Sequence, residues 1–265
     1  MTHMVIFGPG YTASQIGAAV QDAGVMVETI DRAMIGDAAA VAAAVGRATY
    51  ILSSVPPAGE DDPVLGLHGP LLAASSAEWI GYLSSTGVYG DTGGAWVDEN
   101  GPVGLGRRTA RAAADIAWQR LHPQARIFRL PGIYGPGRSP LERVRSGTAH
   151  RVDMPGHAFS RIHVDDIVSG VMASMRHGPP GVYNLADDLP APQSRVVELA
   201  CELLGRQEPP LLDLEAAGLS PAARAFYAEN RRVANGKAKR LLGWRPRYPD
   251  YRSGLRSILA AEGGR

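Results

Sequence analysis

Short apolar runs alternate with longer stretches of helical periodicity along the first half of the chain. Met4–Phe7 is an apolar run with β-branched members, and Ser14–Ala23 behind it spaces its apolar residues as one face of a helix does. Val25–Ile30 predicts a second strand, Ala38–Val45 an alanine-rich helix and Tyr50–Ser53 another strand. Pro70–Ala77 then predicts a helix, Trp79–Ser84 a strand, Thr109–Arg120 a helix and Arg126–Leu130 a strand. Repeated alternation of this kind predicts an α/β fold, a doubly wound parallel sheet with helices on both faces.

Beyond Pro131 the texture changes, with denser glycine and proline and shorter elements. Arg161–Asp166 introduces a helix reaching about Met175, Gly181–Leu185 predicts a short strand, and Gln193–Leu204 a helix closed by Gly205. Gly236–Leu242 predicts a helix stopped by Gly243 ahead of Pro246, and polar Pro221–Arg232 a loop or exposed helix. The expected division is a core over residues 1–135 and a mixed segment over 136–265, which contributes a small C-terminal α/β substrate lobe and closing elements of the core.

Composition narrows the partners. A formal net charge of +1 over 265 residues, without blocks of like charge, gives no reason to expect nucleic acid or an anionic membrane. No run approaches the roughly 18 apolar residues of a membrane span. The first strand begins at Met4 without a basic and apolar leader, so a cytoplasmic protein acting on small molecules is expected. The single cysteine, Cys201, falls in the apolar pattern Val196–Leu204 and is expected in the core. No His, Cys, Asp and Glu grouping has metal-ligand spacing, and His150 and His157 are expected in loops.

Gly8-Pro9-Gly10-Tyr11-Thr12-Ala13 stands between the first strand and the first helix. In that context the first glycine permits a tight turn, the second lets backbone approach a pyrophosphate, and small Ala13 allows close helix packing. The amides at the helix start, from Tyr11 and Thr12 onward, are the expected phosphate site of a Rossmann fold. Asp31, about 20 positions on at the end of the second strand, can accept both ribose hydroxyls, which favours NAD. Arg32 beside it could instead pair with the 2′-phosphate of NADP, and Asp31 could serve only as a cap. Ser53 and Val55 end a strand at the sheet's ligand-binding edge and are expected, with Pro131, to line the nucleotide.

Ser84-Ser85-Thr86-Gly87-Val88-Tyr89-Gly90, Arg129-Leu130-Pro131-Gly132-Ile133-Tyr134-Gly135-Pro136-Gly137 and Arg161-Ile162-His163-Val164-Asp165-Asp166 resemble, in order, three signatures of extended short-chain dehydrogenases/reductases. More narrowly the chain resembles the NAD-dependent epimerase/dehydratase family, in an atypical subgroup of nucleoside-diphosphate-sugar epimerase-like proteins. Gly181–Leu185 and Leu241–Pro246 extend the resemblance over nearly the whole chain. It implies that Ser85, with Thr86 beside it, polarises the substrate. It also implies a proton-exchanging tyrosine about two dozen residues later, and four positions on a lysine that binds the nicotinamide ribose and lowers the tyrosine pKa. Here the helix Arg111-Ala112-Ala113-Ala114-Asp115 aligns Arg111 with the lysine and Arg107 with the tyrosine.

A guanidinium stays protonated at neutral pH, so Arg107 cannot exchange a proton but could stabilise an oxyanion or a carboxylate. Arg111 could keep the ribose contact, which needs donors and positive charge. Both could also be solvated on an exposed helix face. Tyr89, Tyr134 and His163 are candidate substitutes for the acid, with Tyr134 preferred because it follows a strand near the expected nicotinamide. Arg138, Arg161 and His163 are the candidate substrate contacts, although the His163 motif could be simply a turn into a helix. The expected function is an NAD(P)-dependent oxidoreductase or epimerase-like enzyme acting on a small, anionic or sugar-derived carbonyl or alcohol; the alternative is a non-catalytic NAD(P)-binding sensor or interaction protein. Homodimerisation through helices is what the resemblance implies.

Overall fold

A computed structural model describes residues 2–263. In chain order the first half contains β1 (His3–Phe7), α1 (Tyr11–Asp22), β2 (Met26–Ile30), α2 (Ala38–Arg47), β3 (Tyr50–Ser53), α3 (Pro63–Ala73), β4 (Trp79–Ser85), β5 (Trp96–Val97), α4 (Thr109–Leu121) and β6 (Ala125–Leu130). The second half contains β7 (Gly132–Tyr134), α5 (Pro140–Arg145), β8 (Arg151–Val152), β9 (Arg161–His163), α6 (Val164–Arg176), β10 (Gly181–Asn184), α7 (Gln193–Leu204), β11 (Leu211–Leu212), α8 (Pro221–Arg224), β12 (Arg232–Val233), α9 (Gly236–Leu241) and α10 (Tyr251–Gly263).

Six strands form the main sheet in the order β10-β6-β4-β3-β1-β2, and every pairing in it is parallel. The order reverses between β1 and β3, so their carboxyl ends splay apart and leave the crevice where open α/β sheets take ligands. One face of the sheet packs Met4, Ile6, Leu52, Trp79 and Phe128 against Ala13, Ile16 and Val20 of α1 and Ile167 and Val171 of α6. The other packs Val5, Phe7, Ile51, Ile80 and Tyr82 against α2, α3 and α4 through Val41, Val64, Ala114 and Trp118. Strands covered on both sides must be apolar throughout, which is why β1 reads as a run and not as an alternation.

A third apolar cluster joins Tyr134, Leu141 of α5, Val196 and Ala200 of α7, and Leu255 and Ile258 of α10. This cluster lies outside the main sheet. Cys201 is buried on α7, where burial pushes the thiol pKa up.

Several element expectations need revision. The helix expected over Pro70–Ala77 runs instead over Pro63–Ala73, because the Asp62 carboxylate accepts from the Val64 and Leu65 amides and Pro63 occupies the first turn. Arg161–His163, expected as a turn, is a strand paired in parallel with β7. Pro221–Arg232 resolves into α8, a 3-10 turn at Ala225–Ala228 and β12, which pairs with β5. Among the described residues no helix is long and apolar enough to cross a membrane.

Candidate functional site

The glycine turn sits at the reversal of strand order. Gly8 has φ +76°, and a Cβ there would stand 2.7 Å from Val55 Cγ2 at the end of β3, so the position excludes a side chain on both counts. The turn is tied to both neighbouring strands: the Gly8 amide donates to Ile30 O at 2.9 Å, and Ser54 Oγ donates to Gly8 O. Gly10 caps α1 without a side-chain hydrogen bond, the first turn holds no acidic residue, and a Cβ on Gly10 would meet nothing within 4 Å. The first-turn amides of Tyr11, Thr12 and Ala13 have no intrahelical partner at the positive end of the helix, an arrangement that fits a pyrophosphate. Tyr11 lies along the rim, its hydroxyl donating to Pro136 O at 2.9 Å, and the Arg138 guanidinium stands 5.6 Å from its ring centre.

Asp31 directly follows β2 on the same edge. Its Oδ1 accepts from the amides of Ala33 and Met34 at 2.8 and 3.0 Å, so one carboxylate oxygen caps the following turn, as the alternative role for Asp31 has it, and the other makes no hydrogen bond among the described residues. Arg32 is exposed next to it. Ser53, expected to line the nucleotide, is instead wholly buried between its ladder partners Phe7 and Tyr82 and presents no surface to a cleft. Val55 and Pro131 are half-buried just beyond the carboxyl ends of β3 and β6.

Ser85 ends β4 and caps the 3-10 turn Thr86–Tyr89: its Oγ accepts from the Gly87 amide at 3.1 Å, which leaves the hydroxyl proton free to be donated. Thr86 beside it is buried. Ser84, which points the other way, donates to Asp115 Oδ2 at 2.6 Å. Asp115 is wholly buried on α4 and also takes two bonds from Arg129, at 3.1 and 2.7 Å, and one from Gln119 at 2.7 Å. Arg129 further donates to the Tyr89 hydroxyl, which donates to Asn184 Oδ1 at 2.7 Å. Tyr89 is thus locked between β6 and β10, and burial pushes its pKa up to about 12 against the opposing pull of Arg129. It is removed from the candidate acids.

Tyr134 is corrected in the same way. Its ring packs edge-on against His163 in the third cluster, and its hydroxyl points at α10, where it donates to Asp250 O at 3.4 Å. Even a Cβ on Gly254 would overlap it, and burial drives its pKa far upward. The preferred substitute for the missing acid therefore has no path to a substrate. His163 and Arg161 are also structural. His163 Nδ1 accepts from the Asp165 amide and caps α6, with its ring against Tyr134 and Tyr248. Buried Arg161 is spent on Phe159 O, Ala191 O and Gln193 Oε1. Of the expected substrate contacts only Arg138 is exposed.

The arginines that replace the dyad separate into different tasks. Arg107 lies ahead of α4; its amide donates to Glu229 Oε1 at 3.1 Å and its Nε stands 3.6 Å from the same oxygen, so its charge is committed. Arg111 is half-buried and donates through Nη1 to the Tyr82 hydroxyl at 3.1 Å. Tyr82 stacks on Trp118, and burial pushes its pKa up to about 12 although Arg111 opposes the shift. Arg108, which sequence spacing passed over, lies against Gly87. A spacing argument fixes a register only where the helix start is known, and α4 begins at Thr109, just after this run of basic residues.

No protein-family model matches the chain. A functionally unknown conserved protein from Silicibacter pomeroyi DSS is 39% identical, with a TM-score of 0.89 over 98% of this chain and 99% of that one. The human epimerase family protein SDR39U1, solved with NADPH, is 15% identical and aligns with a TM-score of 0.76 over 98% of this chain and 99% of its own. A Streptomyces 3-diazoavenalumate denitrifying reductase is 29% identical over 140 residues, 49% of this chain and 45% of that protein, so the match spans about half the length of this curated relative.

Proposed function

From the premise that this chain belongs to the family of the conserved Silicibacter pomeroyi protein and has the NAD-dependent epimerase/dehydratase fold, we infer that it is an NAD(P)-dependent oxidoreductase or epimerase-like enzyme acting on a small carbonyl or alcohol. The observation that carries the reading is the uncapped start of α1, open at Gly10 and placed at the reversal of strand order. The SDR39U1 structure holding NADPH and the reductase named above support the same direction.

In this reading the amides of Tyr11, Thr12 and Ala13 hold the pyrophosphate, and the free oxygen of Asp31 takes a ribose hydroxyl, which favours NAD. Arg32 is the residue that would admit the phosphate of NADP. When bound, the dinucleotide supplies the acceptor or donor of a hydride. Ser85 would orient the substrate oxygen by donating its hydroxyl proton, and Arg111 would take the ribose contact that the family's lysine makes. With Tyr89 and Tyr134 both enclosed, the proton that accompanies a hydride comes from water or from the substrate itself. That same enclosure favours the second reading, a dinucleotide-binding sensor without turnover.

Calorimetric titration with NAD, NADH, NADP and NADPH tests the first step. The expected result is selective binding that Asp31→Ala weakens, and absence of binding to all four would reduce the glycine turn to architecture. Turnover in an absorbance screen, lost in Ser85→Ala with Thr86→Val while cofactor affinity is kept, separates enzyme from sensor.

A further inference from the structure

The segment between β11 and β12 crosses the molecule with little to hold it. β11 pairs with β8 and β12 with β5, so its two ends are fixed on different sheets. From Leu211 to Asn230 only Tyr227 and Glu229 are buried among the described residues. A stretch with so few enclosed side chains opens locally at low cost. Gly218, with φ +58°, turns the chain ahead of α8 and is a point about which the segment can swing. Asn230 fixes the far end: its amide donates to Asp91 Oδ1 at 2.8 Å, and its carbonyl accepts from the Gly94 amide at 2.9 Å.

Tyr227 and Glu229 fasten the segment to different neighbours. The Tyr227 ring packs edge-on against Phe159, and its hydroxyl stands 3.2 Å from His150 Nε2. His157 completes the seat, 6.1 Å from Tyr227 between ring centres. Its two buried ring nitrogens face the segment's backbone at Tyr227 and Glu229 without a well-formed hydrogen bond. Polar atoms left in that state cost free energy that opening returns, so the seat is a weak one. Glu229 accepts from the Arg107 amide at 3.1 Å and pairs with Arg231 at 2.8 Å. Phe226, next to Tyr227, is exposed and stands against Arg108, with 5.9 Å between the guanidinium carbon and the ring centre.

Arg108 in turn covers the turn at Ser85. A Cβ on Gly87 would lie 2.8 Å from Arg108 Cδ and 3.3 Å from Ser85 Oγ, so the arginine arm fills the space beside the hydroxyl. Gly87 is buried while Arg108, packed on it, is exposed, which makes the arginine the layer between the turn and solvent. Resting on the oxidoreductase reading, we propose that Pro221–Glu229 is a strap that gates the Ser85 site. Closed, the strap holds Arg108 across Gly87 beside the hydroxyl. When Tyr227 leaves its seat among His150, His157 and Phe159, the strap swings about Gly218, Arg107 and Arg108 lose their supports, and a substrate reaches Ser85.

The test measures the rate at which iodoacetamide labels the full chain carrying Ser85→Cys in a Cys201→Ala background. Adding Tyr227→Ala is expected to raise that rate about tenfold or more, and adding Phe226→Ala to raise it severalfold. The amides of β1 and β6 are expected to keep their hydrogen-exchange protection in both, and Arg195→Gln on α7 to leave the rate alone. Phe226 is exposed, so its removal spares the fold and decides the matter should Tyr227→Ala fail to fold. A labelling rate that either folded variant leaves unchanged overturns the proposal. Labelling requires no dinucleotide, so failure of the four titrations would sink the oxidoreductase reading while these rates still decide whether the strap covers Ser85.

Discussion

Asp187 reaches the core with its charge poorly compensated. It follows β10, is almost wholly buried, and burial pushes its carboxyl up to about 8 even though Arg161 opposes the shift. Asp188 and Asp250 add to the rise. An unfolded aspartate releases its proton near 3.8, so between that pH and about 8 the folded chain holds a proton that the unfolded chain has lost. Stability from this group is therefore complete at low pH and declines as pH rises through the window. Asp187→Asn has no such proton, so its urea midpoint relative to wild type is expected to climb from pH 5 to pH 8.5; parallel midpoints would assign the buried carboxyl an ordinary pKa. Which single residues take such roles was the least legible part of the sequence. The tight turn at Gly8 and Gly10 and the strand end at Ser85 were readable because they depend on backbone and position. Tyr134, Arg161 and His163 were not, because whether a polar side chain faces a cleft or a core depends on α10 and the β7–β9 pair packed around it.

The helix α3 shows how one side chain sets an element and joins it to another. Asp62 Oδ1 holds the Val64 and Leu65 amides, while Oδ2 accepts the Trp118 indole at 2.9 Å from α4. Asp62→Ala should lose about 1 kcal/mol with the cap and about 1–3 kcal/mol more because the buried indole N–H is left without a partner. Urea unfolding of the variant measures the sum, and a loss under 1 kcal/mol would show that water replaces the carboxylate. The strands of the main sheet and most helices were legible from period and punctuation. The start of α3 was not, since Pro63 and Pro70 are both plausible first-turn prolines and only the Asp62 cap decides between them. The terminal helix α10 was hidden by its charges, although Tyr251, Gly254, Leu255 and Ile258 keep helical spacing on its buried face.

The whole molecule depends on chain that returns late. β10 is the edge neighbour of β6, and Tyr183, Leu185, Ala238, Leu242 and Trp244 belong to the same apolar cluster as β1 and α1. A fragment ending at residue 178 keeps the glycine turn but lacks all of these, so it is expected to bind no dinucleotide and to melt without a cooperative transition by near-ultraviolet circular dichroism. A sharp transition would make the first half an autonomous unit. Alternation along the sequence made the sheet readable, but pairing between residues so far apart is not written in any local pattern. In time rather than space, β6 is complete about 50 residues before its partner, so at ordinary synthesis rates its outer edge waits about 3–10 s on the ribosome. During that interval Arg126 lies on an open strand, a charge that works against that edge joining another copy.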